Sequence, residues 1–223
     1  MTAKEQLDEI RRKNRSSYSK RVSVLSAHYQ KPGRKTNGEV RPWVCCFDLE
    51  TTNLHGNFMG VILCGVVKPI GGKSIIFRGD EYDTWEHKRS DDSQISVDIY
   101  SELSKYTICI AHNGLAFDIN FLRSRLGKVD VEMPQPKNVD PVRIARRYLR
   151  FKFNNLESVG EHFGFTGKTR VAPQYWNEAA LDGNRVALDY IVEHCIADVD
   201  LLEKVADKLR YLAPKITQWG SDV

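Results

Sequence analysis

Short apolar runs separated by polar turns dominate the chain between residues 43 and 111. They cover residues 43–48, 59–67, 74–77 and 107–111, and glycine-containing turns join the first three. Runs of this length between turn residues are typical of buried strands. We therefore predict four strands here, and a further strand that ends at residues 139–140.

Helical spacing replaces this pattern in the second half of the chain. Apolar residues recur every three or four positions over residues 94–105, 117–126, 156–163 and, most clearly, 184–212. This repeat indicates amphipathic helices. We predict two more helices at residues 141–149 and 173–181, and surface loops at 79–92 and 164–172. Strands followed by strand–helix alternation predict an α/β fold with a mixed sheet.

Charge sets the first 41 residues apart. They contain eleven Lys and Arg but only four Asp and Glu, whereas the remainder of the chain is slightly acidic. We predict a basic arm at residues 1–41, partly helical (3–14) or flexible, a folded domain at 42–213 and a tail at 214–223. The arm is either a solvated extension or a segment that binds nucleic acid.

Composition narrows the class of protein. The chain has 223 residues and a formal net charge of +4, which permits nucleic acid as a partner without requiring it. Its five cysteines contain no Cys-x-x-Cys pair and lie mostly in apolar runs. We therefore expect reduced, buried thiols and a cytoplasmic location. No apolar run approaches the roughly 20 residues of a membrane span, so we expect no membrane partner.

Two acidic residues end the first predicted strand. Asp48 and Glu50 are two positions apart, so in a strand their side chains project from the same face. Two neighbouring carboxylates repel each other and are costly to bury in the ionised form, and a divalent cation removes both costs. A solvated strand end explains this pair equally well when it is taken alone.

Two further acidic residues interrupt apolar patterns downstream. Asp118 opens a predicted helix, where it would also suit a cap or the helix dipole. Asp198 lies inside the long helix, where Asp has poor propensity. His194 precedes Asp198 by four residues and therefore shares its helix face. Each residue alone has an ordinary structural explanation.

Three segments taken together resemble the motifs of the DEDD superfamily of 3′–5′ exonucleases, the DnaQ-like branch of the ribonuclease-H-like fold. The first is the string Phe-Asp-Leu-Glu-Thr-Thr at residues 47–52. The second is Asn113-Gly114 with Phe117-Asp118, and the third lies at residues 190–202. The resemblance covers about residues 43–210. It implies a ribonuclease-H-like mixed central sheet flanked by helices, with the basic arm as an extension.

The resemblance also implies a reaction and a set of roles. The chain would be a phosphodiester hydrolase, a 3′–5′ exonuclease that acts on single-stranded ends of DNA or RNA with two Mg²⁺ or Mn²⁺ ions. Asp48, Glu50 and Asp198 would ligate the ion that activates water, with Asp48 bridging, and Asp118 would mainly serve the second ion. Two ions roughly 3.5–4 Å apart stabilise both the attacking and the leaving oxygen. His194 would be the general base.

His194 departs from the two usual patterns of the family. The tyrosine branch has its base four residues before the last acid, and the histidine branch usually has it five residues before. Here a His occupies the tyrosine spacing. We interpret it as His in place of Tyr on the same helix face, which leaves the branch open.

Further predictions concern the substrate. By resemblance, five residues would contact the terminal nucleotide: Thr51, Thr52, Leu54, Asn113 and Phe117. Basic side chains in and after the helix at 141–149 would track a phosphate backbone or form a solvated helix face, and they include Arg143, Arg146, Arg147, Arg150 and Lys152. Of these, Arg146 and Arg147 are our candidates for substrate binding.

Two other functions remain compatible with the sequence. Metals and fold alone do not distinguish an exonuclease from a structure-selective endonuclease. A module that binds nucleic acid without catalysis is the third possibility, although the four acids and a candidate base are all present.

Overall fold

The computed structural model describes residues 44–54, 60–134, 137–165 and 171–212, and the backbone of residues 35–36 and 39–40. The helix predicted at residues 3–14 and the predicted tail at 214–223 lie outside these ranges. Two short strands, β1 (Lys35–Thr36) and β2 (Glu39–Val40), pair antiparallel before the main sheet begins.

A five-stranded mixed sheet forms the centre of the fold. Its strands are β3 (Val44–Thr51), β4 (Ile62–Pro69), β5 (Ile75–Arg78), β6 (Ile108–Ile110) and β7 (Lys137–Val139). Their order across the sheet is β5-β4-β3-β6-β7. The β3–β4 and β4–β5 pairs are antiparallel, whereas β3–β6 and β6–β7 are parallel. The predicted mixed sheet is thus confirmed.

Seven α-helices occur in the described ranges. They are α1 (Thr84–His87), α2 (Ser93–Leu103), α3 (Asp118–Leu126), α4 (Pro141–Tyr148), α5 (Leu156–His162), α6 (Gln174–Asn177) and α7 (Arg185–Leu209). A π-helical turn, Glu178–Asp182, extends α6. Within this part of the chain, no helix has both the length and the apolar character needed to cross a membrane.

The prediction of a surface loop at residues 79–92 is wrong in part. It contains a 3-10 turn at Gly79–Glu81 and the helix α1, whose Trp85 is buried in the core. Asp92, at the end of this segment, is also buried, and its carboxylate pairs with Arg125 of α3. The segment is therefore fixed to the domain through one aromatic ring and one buried ion pair.

Helices cover both faces of the sheet. Val44 and Cys46 of β3 belong to one apolar cluster, which includes Ile191 and Val199 of α7. Alternate residues of the same strand, such as Phe47, belong to a second cluster with residues of α2 and α3. Because side chains alternate along a strand, β3 contributes to both layers of the core.

The parallel strands end at one edge of the sheet, and the candidate residues follow them there. The last β3–β6 partners are Cys46 and Ile110, so the end of β3 extends beyond this pairing. Asp140 follows β7, and its carboxylate accepts hydrogen bonds from Asn113 N (2.9 Å) and Val142 N (3.0 Å). This edge therefore gathers the end of β3, the loop after β6 and the start of α4.

Candidate active site

Asp48 and Glu50 lie in the part of β3 that continues past β6. In the antiparallel pairing with β4 they stand opposite Val66 and Cys64. Their spacing directs both side chains to the face of the sheet that α7 covers. The side chain of Glu50 is only 14% exposed. Local strand geometry thus brings two carboxylates to the same largely enclosed place.

Helix α7 brings His194 and Asp198 to this pair. His194 Nε2 lies 3.8 Å from Glu50 Oε1 and 3.7 Å from Asp198 Oδ2. One helical turn separates His194 from Asp198, so the imidazole and the carboxylate emerge from one face of α7. The ring nitrogen therefore faces one acid from the strand and one from the helix.

Asp118 reaches the site from the opposite side of the sheet. It is the first residue of α3 and is only 3% exposed. Its Oδ1 accepts a hydrogen bond of 3.1 Å from the backbone N–H of Leu49, the residue between Asp48 and Glu50. All five predicted catalytic residues therefore meet around the end of β3.

Burial disfavours the ionised form of two of these acids, Glu50 and Asp118. It raises the pKa of Glu50 well above its ordinary value, and the negative charge of Asp48 raises it further. Burial also raises the pKa of Asp118 to about 7, although the hydrogen bond from Leu49 N–H counteracts this. A bound cation would favour the ionised form of every carboxylate here, since it neutralises their mutual repulsion.

The donor chemistry of the four acids fits a hard divalent cation. Mg²⁺ and Mn²⁺ prefer carboxylate oxygens, and Asp48, Glu50, Asp118 and Asp198 supply them. Within the described ranges, no three His, Cys, Asp or Glu side chains already form a group that would hold a metal ion. A cation that binds here would therefore have to draw these side chains together.

Trp176 is a site residue that the sequence did not reveal. It lies in α6, and its side chain hydrogen-bonds to the carboxylate of Glu50. Its ring also meets His194 edge to face, with 6.3 Å between the ring centroids and 84° between their planes. Next to it, Tyr175 stacks on Tyr190 at 5.0 Å. Only the fold brings α6 to the motifs, so no local pattern marks this residue.

Cys195 is a second residue next to the acids that was not predicted from the sequence. Its Sγ lies 3.3 Å from Asp48 Oδ2 and donates a hydrogen bond to it. Burial raises the pKa of this thiol well above its ordinary value, and the nearby Cys64 and Asp48 add to the effect. The thiol therefore keeps its proton and remains a donor to Asp48. All five cysteines are buried and free.

The predicted substrate contacts near β3 have mixed placements. Thr51 Oγ1 donates to Asn53 O (2.7 Å), and Thr52 Oγ1 accepts from Val61 N (3.0 Å). Both hydroxyl groups thus hold the chain as it leaves β3. Leu54, by contrast, is 77% exposed. Of these residues, Leu54 has the side chain most open to a ligand.

The other predicted contacts lie on the second motif and on α4. Asn113 is exposed and has a left-handed backbone with φ of 63°. Phe117 is the residue before α3, and its ring lies 5.6 Å from that of Phe121. Arg146 and Arg147 are exposed on α4 and, among the described residues, make no ion pair with the four acids.

Comparisons with known proteins agree with this fold. The family model for the RNase H superfamily matches residues 45–210. The chain is 30% identical over 130 residues to DNA polymerase III PolC-type from Ureaplasma parvum serovar 3. The matched segment covers 51% of this chain and 9% of that polymerase. The chain also resembles the structure of the family B DNA polymerase from the archaeon Pyrobaculum calidifontis, with a TM-score of 0.58 and 22% identity over 78% of this chain and 25% of that one.

The chain therefore spans only a small part of either polymerase, and the superposition with the archaeal protein bears on the fold alone. The family match covers most of the domain that carries the candidate site. The fold predicted from the motifs is confirmed at the level of the superfamily. This chain belongs to the RNase H superfamily.

Proposed function

We propose that this protein is a metal-dependent 3′–5′ exonuclease that hydrolyses phosphodiester bonds at single-stranded ends of DNA or RNA. The observation that carries the proposal is the position of His194 Nε2, 3.8 Å from Glu50 Oε1 and 3.7 Å from Asp198 Oδ2. A candidate base thus stands between two candidate metal ligands. The sequence similarity to a PolC-type DNA polymerase supports nucleic acid as the substrate.

The acids would hold the cations and orient them. Asp48, Glu50 and Asp198 converge from β3 and α7, while the backbone N–H of Leu49 fixes Asp118 behind them. Two bound Mg²⁺ or Mn²⁺ ions would stabilise the charge that develops on the attacking and leaving oxygens of the phosphodiester. The raised pKa values of Glu50 and Asp118 support this role, because these carboxylates gain most from a nearby positive charge.

His194 would accept the proton of the attacking water at Nε2. An imidazole is suited to this step because its ordinary pKa lies near neutral pH. The edge-to-face contact with Trp176 limits the orientations that the ring can take. The neighbouring Glu50 and Asp198 would favour the imidazolium that forms once the proton has moved.

The exposed groups beside the acids would receive the terminal nucleotide. Leu54 presents an apolar surface after β3, and Asn113 presents an amide at the start of the second motif. Both follow strands that end at the edge where the acids lie. An apolar contact and a hydrogen-bonding group suit an unpaired base, which exposes both its face and its edges.

A matched pair of substitutions on α7 tests the proposal. Asp198→Asn should reduce the Mn²⁺-dependent release of nucleotides from single-stranded DNA or RNA by about 100-fold or more. It should also weaken Mn²⁺ binding measured by calorimetry. Asp189→Asn is the control, because Asp189 is exposed on the same helix and pairs with Arg78. Equal activity of Asp198→Asn and the control, or no cleavage by the unmodified protein with either metal, would overturn the proposal.

A further inference from the structure

A strongly basic and aromatic surface lies beside the candidate site. It consists of six exposed residues, which we call the basic–aromatic surface: Arg146, Arg147, Tyr148, Arg150, Lys152 and Phe153. The sequence contains no acidic residue between Asp140 and Glu157. The surface therefore carries a concentrated positive charge, although the chain as a whole is only mildly basic.

The four cations of this surface are not used for internal ion pairs. In the described ranges none of them forms a salt bridge, whereas Arg78, Arg125 and Arg185 each pair with a carboxylate. The charges of these three arginines are thus met by carboxylates, whereas the cations of the basic–aromatic surface form no ion pair within the described ranges. Unpaired cations that face solvent are available to phosphate groups.

Two aromatic rings accompany these cations. Tyr148 is 47% exposed and Phe153 is 57% exposed. The guanidinium of Arg147 lies 5.4 Å from the centroid of the Tyr148 ring, and Lys152 Nζ lies 5.1 Å from that of Phe153. An exposed ring beside a cation is the combination that holds a base by stacking and its phosphate by charge.

Hydrogen bonds join the basic–aromatic surface to the loop that carries the second motif. Asp140, just before α4, accepts from the backbone N–H of Asn113. His112 Nε2 and Asn154 O, just after Phe153, are 2.9 Å apart. The segment is thus fixed at both ends to neighbouring residues of one loop. That loop leads directly into Asp118, so a strand on this surface would lie next to the acids.

We infer that the basic–aromatic surface binds single-stranded nucleic acid, on the strand that leads to the cleaved end. The inference rests on the proposed function for the position of that end. A duplex stacks its bases on one another and cannot offer them to Tyr148 and Phe153, whereas an unpaired strand can. The surface would therefore select single strands and would retain the substrate between successive cleavages.

Binding by an inactive protein tests the inference separately from catalysis. The background is the full-length Asp48→Ala, Asp198→Ala variant without metal, and the probes are labelled single-stranded DNA, single-stranded RNA and duplex DNA. Adding Tyr148→Ala and Phe153→Ala should weaken single-strand binding by about 10-fold or more, because stacking is worth about 1–3 kcal/mol per base. Duplex binding should change less than about twofold. Adding Arg146→Ala and Arg147→Ala should reduce the slope of log affinity against log salt by about 1.4.

The controls are Tyr148→Phe, which keeps the ring, and Tyr211→Ala, which removes an aromatic residue that is 69% exposed elsewhere. Both should bind single strands as the background does. Unchanged single-strand binding after the aromatic and arginine substitutions would overturn the inference. So would aromatic substitutions that weaken the binding of single strands and of duplex equally. Metal-dependent cleavage by the unmodified protein would in that case leave the proposed function intact. If the binding losses occur as expected but the unmodified protein cleaves nothing, the role of the surface in single-strand binding would be supported and the proposed exonuclease function would be overturned.

Discussion

Asp118 Oδ1 accepts a hydrogen bond from Leu49 N at 3.1 Å, which joins the start of α3 to the strand that holds Asp48 and Glu50. Helix α3 packs on the face of β3 opposite to α7, and Asp118 is buried where α3 meets the strand. Its carboxylate is therefore oriented by the backbone before any cation binds. The same burial makes its negative charge costly.

Asp118→Asn should stabilise the metal-free protein above about pH 7 and have little effect below about pH 4. Burial raises the pKa of Asp118 to about 7, compared with about 3.9 in an unfolded chain. Between these values the folded state binds more protons, so stability falls as pH rises. Asn carries no charge and still accepts the bond from Leu49. Urea unfolding with a chelator would measure the gain, which is at most about 4 kcal/mol.

Adding Mn²⁺ supplies the control for this substitution. The unmodified protein should gain stability from the metal above pH 7, because a ligand that binds only the folded state stabilises it. The Asn variant should gain less. If Asp118→Asn destabilises the protein equally above pH 7 and below pH 4, the charge of Asp118 does not reduce the stability of the folded protein.

Trp176→Phe should reduce both Mn²⁺ affinity and the cleavage rate by about 10-fold, because a hydrogen bond to a charged group is worth about 1.5–3 kcal/mol. The substitution keeps an aromatic ring near His194 but removes the indole N–H that hydrogen-bonds to Glu50. Calorimetry and initial rates would measure the two effects. Tyr175→Phe is the control, since it preserves the ring that stacks on Tyr190. If both variants behave alike, the bond to Glu50 has no functional role.

The elements of this fold were largely predictable because burial leaves a recognisable apolar pattern in each of them. The sheet strands β3 and β4 have continuous apolar runs because helices cover both faces of the sheet, and α7 repeats apolar residues on the face that packs against it. Helix α1 was not predicted because Trp85 is the only apolar residue among its four residues, in a segment that is mostly charged. Its burial depends on a cluster assembled from distant parts of the chain.

The candidate site was predictable only where its residues form local motifs. The spacing of Asp48 with Glu50, and of His194 with Asp198, follows from strand and helix geometry. Contacts between distant segments leave no such pattern. Cys195 donates to Asp48 across 147 residues of sequence, and Trp176 meets Glu50 only because α6 packs against α7.

Asp92→Ala should destabilise the protein by about 3–5 kcal/mol, because it leaves the charge of Arg125 buried without its partner. Both residues are almost completely buried, and Asp92 also accepts a bond from Ile62 N at 2.8 Å. Thermal or urea unfolding would measure the loss. Combining Asp92→Leu with Arg125→Met should recover much of it, since apolar residues of similar size avoid the unpaired charge. A loss below about 1 kcal/mol for Asp92→Ala would contradict this account.

Gly114→Ala should destabilise the protein by about 1–3 kcal/mol, as overpacking of a core does. A Cβ at Gly114 would overlap the side chain of Ala111, which is completely buried. Gly127→Ala is the matched control, because nothing lies within 4 Å of its added Cβ. The control should be neutral or should stabilise by about 0.4–1 kcal/mol. Equal unfolding midpoints for the two variants would show that the loop at Gly114 can relax.

The proposed exonuclease activity is tested most directly by a time course with Mn²⁺ on a 5′-labelled linear single strand and on a circular single strand of the same sequence. We expect the linear strand to shorten stepwise from its 3′ end, the circle to stay intact, and the Asp48→Ala, Asp198→Ala variant to cleave neither. Nicking of the circle would contradict the proposal and indicate an endonuclease. No cleavage of either strand by the unmodified protein would contradict it as well, and would leave a protein that only binds nucleic acid.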